Sequence, residues 1–144
     1  MDSVDGKVVV ITGAASGIGR AAVDVFAAAG ARILTTNTFG GTRPRLAMSG
    51  LEARAYDLNK AGAEIARRVA DRHDILVAGD IGPTGELMAP LGTMAEDEAI
   101  ALFSEQIRAL VDGGADLILI ETMSDLAESR AAIAAAKAVA AELP

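Results

Sequence analysis

Two sets of residues in this chain have types and spacings that could do chemistry. In the first, Thr12-Gly13-Ala14-Ala15-Ser16-Gly17-Ile18-Gly19 follows the apolar run Val8-Val9-Val10-Ile11 and opens a helical pattern. A glycine turn between a strand and a helix gathers backbone N–H groups and the positive end of the helix dipole at one point, which suits a phosphate. Gly13 permits the tight turn, Gly17 lets the backbone approach a pyrophosphate, and Gly19 allows close packing of helix on strand. The alternative is an inherited turn that binds nothing. The second set lies where later apolar runs end: Thr36-Asn37-Thr38, Gly82-Pro83-Thr84-Gly85 and Ile120-Glu121-Thr122. Glu121 offers a carboxylate to an ammonium group, or equally accepts loop N–H bonds as a strand-end acid. Asn37, Thr38, Gly82 and Thr84 would line the same edge.

The elements that must position these residues alternate along the chain. Apolar runs predict strands over 7–12, 32–36, 75–79 and 116–121, and 3.6-residue patterns predict helices over 17–29, 59–72, 95–112 and 124–142. Gly30 is a helix stop, and Asn59 and Ser124 are the expected N-caps. Four βα units in series predict an α/β fold with a parallel four-stranded sheet and right-handed crossovers. Two strand orders fit: 1-2-3-4, half of a (βα)8 barrel, or 2-1-3-4, the open doubly wound arrangement. In both, the loops at the C-terminal ends of the strands gather the ligand site. The long connections over 37–57 and 80–93 lie on that edge. The chain reads as one α/β domain over 1–144.

Composition removes several function classes. The formal charge of -7 argues against binding nucleic acid through its phosphates. The absence of cysteine excludes disulfides and thiolate nucleophiles and fits a reducing cytoplasm. No apolar run is long enough to span a bilayer, so no membrane association is expected. A lone histidine, His73, cannot make a structural zinc site and reads as a helix-end surface residue.

The first set resembles the short-chain dehydrogenase/reductase family, whose fingerprint is Thr-Gly-x-x-x-Gly-x-Gly, over about residues 5–33. That resemblance implies weak NAD(P) binding through Gly13, Ser16, Gly17, Ile18 and Gly19. Asn37 falls where the family places an Asp for the ribose hydroxyls. Arg20 and Arg43 could favour a 2′-phosphate or be solvated surface charges. The family's catalytic Tyr-x-x-x-Lys has no counterpart, because Tyr56 and Lys60 share the spacing but come too early in the chain.

From residue 34 onward the chain resembles the homocysteine S-methyltransferase domain. Thr35-Thr36-Asn37-Thr38-Phe39-Gly40 with Arg43, Leu58-Asn59-Lys60-Ala61, Gly82-Pro83-Thr84-Gly85, Phe103 with Gln106, and 116–123 carry the likeness. It implies units two to four of a (βα)8 barrel, with Glu121 as the acid for the homocysteine amino group. In that family a zinc ion on three cysteine thiolates activates the homocysteine thiol. Those cysteines belong to the barrel's second half, so no zinc is expected here.

With neither catalytic set complete, no catalytic residue is assigned. The expected function is a non-catalytic chimeric or truncated scaffold, joined within 28–33, with residual NAD(P) or phosphate binding. The alternatives are an NAD(P)-dependent oxidoreductase and a homocysteine S-methyltransferase fragment completed by another half-barrel. A half-barrel exposes sheet edges and an uncovered inner face, which predicts a homodimer. Sedimentation at micromolar concentration checks this, and a clean monomer there refutes it.

Overall fold

The computed structural model describes residues 17–143. The predicted strand over 7–12, together with Gly13 and Ser16, lies outside the described residues. Three parallel strands, β1 (Ile33–Thr35), β2 (Leu76–Ile81) and β3 (Leu117–Ile120), form one sheet in the order β1-β2-β3. The helices are α1 (Gly17–Ala28), α2 (Arg43–Ala47), α3 (Ala55–Ala70), α4 (Glu96–Asp112) and α5 (Leu126–Ala141). None of them is long and apolar enough to cross a membrane.

The α/β class and the parallel sheet are as expected, and the pairing separates the two strand orders. Leu34 is opposite Val77 and Asp80 is opposite Leu119, so β2 lies directly between its sequence neighbours. The 2-1-3-4 order would insert another strand between β1 and β2. The observed order is therefore the consecutive one of a partial barrel.

Alternation along the strands divides the sheet into two faces. Leu34 and Val77 meet Val23, Ala66, Val69, Ala70 and Ile75 in one apolar cluster under α1 and α3. Ile81, Ile118 and Ile120 meet Phe103, Ile107, Leu110, Ala132 and Val139 in a second cluster under α4 and α5. Ala115 packs against both. Ala78, Asp80, Leu117 and Leu119 fall on the opposite face. An apolar hollow of about 300 Å³ lies between α4, β3 and α5, lined by Ile107, Val111, Leu117 and Val139 among others. Among the described residues β3 is paired on one side only.

Each helix that feeds a strand ends in a related way. At α1, Ala31 N–H donates to Phe26 C=O and Gly30 N–H to Ala27 C=O; at α4, Ala115 donates to Leu110 and Gly114 to Val111. Gly30 (φ 100°) and Gly114 (φ 95°) supply the left-handed residue that this closure requires. After α3, Ile75 N–H reaches back to Ala70 C=O with Asp74 in the left-handed position (φ 52°). Asp116, just before β3, accepts the Val77 N–H at 2.7 Å and the Arg67 guanidinium at 2.7 Å, which locks the start of the β2–β3 ladder.

Two helix starts differ from expectation. The helix expected from residue 59 begins at Ala55, behind a 3-10 turn over Glu52–Arg54. Asn59 is buried a turn inside it, because its side-chain amide is committed to tertiary bonds rather than to a cap. At α5 the cap is Asp125, not Ser124: its carboxylate accepts the Ala127 N–H at 2.7 Å, the stronger, charge-assisted form of the same bond.

Phe103 is fully buried at the centre of the larger cluster. Phe103→Ala is expected to cost about 3–5 kcal/mol in urea denaturation, from lost transfer energy and the cavity left behind.

Candidate functional site

The C-terminal ends of the three strands carry a polar edge built from residues that the flanking apolar runs force to stop there. At the end of β1, Thr36 and Thr38 are buried and close a ring with β2. The Asp80 N–H donates to Thr36 Oγ1 at 2.9 Å, the Thr38 hydroxyl donates to Asp80 C=O at 2.8 Å, and the two hydroxyl oxygens lie 2.6 Å apart. Each hydroxyl has one proton, so with Thr38 donating to Asp80, Thr36 donates to Thr38.

Behind this ring sits a buried pair of amides. Gln106 Nε2 on α4 donates to Thr38 C=O at 2.7 Å and to Asn59 Oδ1 at 3.1 Å. Asn59 Nδ2 on α3 donates to Gly41 C=O and to Ala55 C=O, both at 2.7 Å. Above them a cavity of about 290 Å³ opens between Asn37, Thr38, Gly40, Gly41, Leu46, Leu58 and Asn59.

The loop after β2 passes under Phe39. Gly82 N–H donates to Phe39 C=O at 3.1 Å, and a Cβ on Gly82 would lie 2.5 Å from the Phe39 ring, so only glycine fits there. Thr84 is buried, and both its N–H (2.8 Å) and its hydroxyl (2.6 Å) donate to Glu128 Oε1 on α5. Glu121 N–H continues the ladder to Ile81 C=O at 3.0 Å, and Thr122 follows in a left-handed conformation (φ 58°). Such a conformation in a non-glycine residue stores strain of the kind found at ligand sites.

Two carboxyl groups meet on this edge. Asp80 is 6% exposed, and among the described residues its Oδ1 has no hydrogen-bond partner. Burial, followed by the charge of and a hydrogen bond with Glu121, pushes the Asp80 carboxyl up to about 7.

Of the residues expected to line the site, Thr38, Gly82, Thr84 and Glu121 come together on this edge, and Asn37 is exposed at its rim. Thr38 and Thr84 act largely by holding loops. Gly17, Ile18 and Gly19 form the first turn of α1. Tyr56 and Lys60 lie on α3, where the Tyr56 hydroxyl donates to Asp112 of α4; this pair braces two helices. His73 is half-buried and bonds Asp24 of α1 at 3.0 Å, which is more than the surface helix-end role expected of it.

Sequence reasoning did not single out Asp80 or Glu128 as site residues. Asp80 carried a usable signal, an acid interrupting the apolar run Leu76-Val77-Ala78-Gly79. Glu128 carried none, because a glutamate in the first turn of a helix reads as dipole compensation.

Folding raises the Asp80 carboxyl from its ordinary value of 3.8, so the folded state holds this proton more tightly than the unfolded state. The group's contribution is complete below the unfolded value and is lost as pH rises through about 7. We expect Asp80→Asn to gain stability relative to the parent on going from about pH 5 to about pH 8, read by urea denaturation at each pH.

The fold and the edge have counterparts among solved proteins. The homocysteine methyltransferase MmuM from Escherichia coli, in its oxidized form, is 27% identical with a TM-score of 0.69, over 83% of this chain and 46% of that one. The metallated form of the same enzyme is 25% identical with a TM-score of 0.68, over 87% of this chain and 50% of that one. The chain thus spans about half the length of these solved relatives.

The homocysteine S-methyltransferase family model matches residues 13–144. The match begins inside the glycine turn and includes all of α1, so the likeness does not start at residue 34 and the dehydrogenase-like reading of this stretch gains no support. The expectation of NAD(P) without zinc is corrected by the same findings, because the family is that of a methyltransferase with a metallated form. The described residues do not form the metal's donor set. The chain has no cysteine, and among the described residues no group of three or more His, Asp or Glu could hold a metal ion. With a family match over nearly its whole length and two solved relatives on the same fold, the chain belongs to the homocysteine S-methyltransferase family.

Proposed function

We propose that this chain is the amino-acid-binding half of a homocysteine S-methyltransferase site, and that the groups which activate the thiol come from outside the described residues. The observation that carries this is Glu121, a half-buried carboxylate at the C-terminal end of β3, on the edge where Thr38, Gly82 and Thr84 also lie. A carboxylate at that place accepts a charge-assisted hydrogen bond from an ammonium group. The ring of Thr36, Thr38 and Asp80 holds the neighbouring loop in one geometry, so the acceptor is positioned before the ligand arrives.

The family assignment supports this reading over the non-catalytic scaffold, and no observation favours the oxidoreductase. Half a barrel brings half a site. Among the described residues there is no metal donor set, so activation of the thiol requires a complementary barrel half, in the same polypeptide or in another.

Mixing this chain with the complementary half of a family barrel is therefore expected to restore methyl transfer to homocysteine. Glu121→Gln in the mixture should lower kcat/KM for homocysteine by roughly 10- to 100-fold, the worth of one charge-assisted hydrogen bond. A complex that sediments as one species yet transfers no methyl group refutes the proposal.

A further inference from the structure

Arg45 takes no part in the reading above. Among the arginines whose burial is described, only Arg45 and Arg67 are half-buried. Arg67 spends its whole guanidinium on the protein: Nε lies 2.7 Å from Asp71 Oδ1, Nη1 donates to Asp116 at 2.7 Å and Nη2 to Ile75 C=O at 3.0 Å. Arg45 is the opposite case. Among the described residues no carboxylate lies within ion-pair distance of it, and its Nε is shut off from solvent with no acceptor. Its side chain runs along Gly85 in the loop after β2, where a Cβ would stand 3.2 Å from Cδ and 3.3 Å from Nε and Nη1. Glu86, the next residue, is exposed and forms no ion pair with it. A guanidinium stays charged and carries five N–H donors, so packing one against a glycine is unfavourable unless an acceptor comes from elsewhere.

A second polar group without a partner stands on the same turn. Thr42 is 1% exposed, its Oγ1 has no hydrogen-bond partner among the described residues, and it does not cap α2. Leu46 N–H donates to Thr42 C=O at 3.0 Å, so the backbone is helical here and residues 42, 45 and 46 share one side of the turn. Leu46 and Gly41 line the cavity of about 290 Å³ that opens at Asn37. Arg43, between the two residues, is already neutralised by Glu105 at 2.5 Å. One buried hydroxyl and one guanidinium fork, side by side and both unspent, are complementary to a planar oxyanion. A carboxylate accepts two parallel N–H bonds from the fork and has lone pairs left for the hydroxyl.

We infer that Arg45 and Thr42 form an anchor for the carboxylate of a small molecule that binds beside the cavity over Asn59. The donors are these two side chains alone. The anchor goes beyond the reading above, which assigns only an acceptor at Glu121, and it stands whether or not Glu121 holds an ammonium group. In a methyl transfer the carboxylate has two possible sources, the amino acid that accepts the methyl group and the donor that supplies it. Gly85 is part of the device, since any side chain there would push the guanidinium aside.

The test is a nitrogen–proton NMR titration of the labelled chain at constant ionic strength, read at the Arg45 Nε–H and the Leu46 amide. The probes are acetate, L-homocysteine, glycine betaine, inorganic phosphate and, as a methyl-bearing control without a carboxylate, tetramethylammonium. We expect a saturable shift at both positions with a carboxylate probe and none with tetramethylammonium. Read at Leu46, Arg45→Lys should raise Kd about tenfold, because lysine keeps the charge and loses the fork. Thr42→Val should raise it about 3- to 10-fold, the worth of one neutral donor. The valine variant leaves the guanidinium in place and keeps the test decisive if Arg45→Lys unfolds the chain, which circular dichroism reads. Homocysteine saturating below acetate assigns the anchor to the amino acid, and glycine betaine saturating below acetate assigns it to the donor. Neither binding more tightly than acetate, phosphate binding more tightly than every carboxylate, or no saturable shift with any probe overturns the anchor. So does carboxylate binding that both variants leave unchanged.

Discussion

The polar edge depends on a pair of buried amides. Asn59 from α3 and Gln106 from α4 meet behind the loop that follows β1, and between them they satisfy the carbonyls of Thr38, Gly41 and Ala55. Thr38 C=O also accepts the Gly41 N–H, but Gly41 C=O depends on the Asn59 amide, and leaving such a buried acceptor unpaired costs about 1–3 kcal/mol. With the amides in place the loop can turn inward, and only then can Thr36 and Thr38 reach Asp80. Removing either amide would leave the other with an unsatisfied group in a low-dielectric setting, so the two act as one unit.

The two edges of the sheet are built by different rules. At the edge where strands begin, helices close through backbone geometry alone, with Gly30, Asp74 and Gly114 at equivalent places. The Asp116–Arg67 pair fixes the register there. At the edge where strands end, side chains do the work: hydroxyls, amides and carboxylates hold loops of unequal length against the helices. The first edge serves the fold. The second stores polar groups at a cost that only a ligand or a function offsets.

The elements with strong periodicity were legible in the sequence. Helices α1, α4 and α5 begin or end within two residues of the pattern, and all three described strands lie where apolar runs bounded by turn residues place them. The start of α3 was not legible, because Asn59 has the chemistry of a cap and its true partners, Gly41 and Gln106, are remote in sequence. For the same reason the sequence did not show that the Thr38 hydroxyl is committed to Asp80 C=O of β2 and the Thr84 hydroxyl to Glu128 of α5. Strand order was not legible either, since a helical crossover between parallel strands looks alike whether or not another strand intervenes. The glycine turn misled in a different way. Its local pattern matches a phosphate cradle, while the family match runs through it from Gly13.

Ala115 packs against both apolar clusters, and α3 reaches into each: Ala66, Val69 and Ala70 belong to the cluster around Leu34 and Val77, and Ala63 to the one around Phe103. Across the same seam Tyr56 donates to Asp112, and Asn59 accepts from Gln106. The two clusters therefore share a helix, and neither can open while the other stays packed without parting α3 from α4. A shift of α3 would be felt at once by the loop bearing Thr36 and Thr38, which Asn59 and Gln106 hold between them.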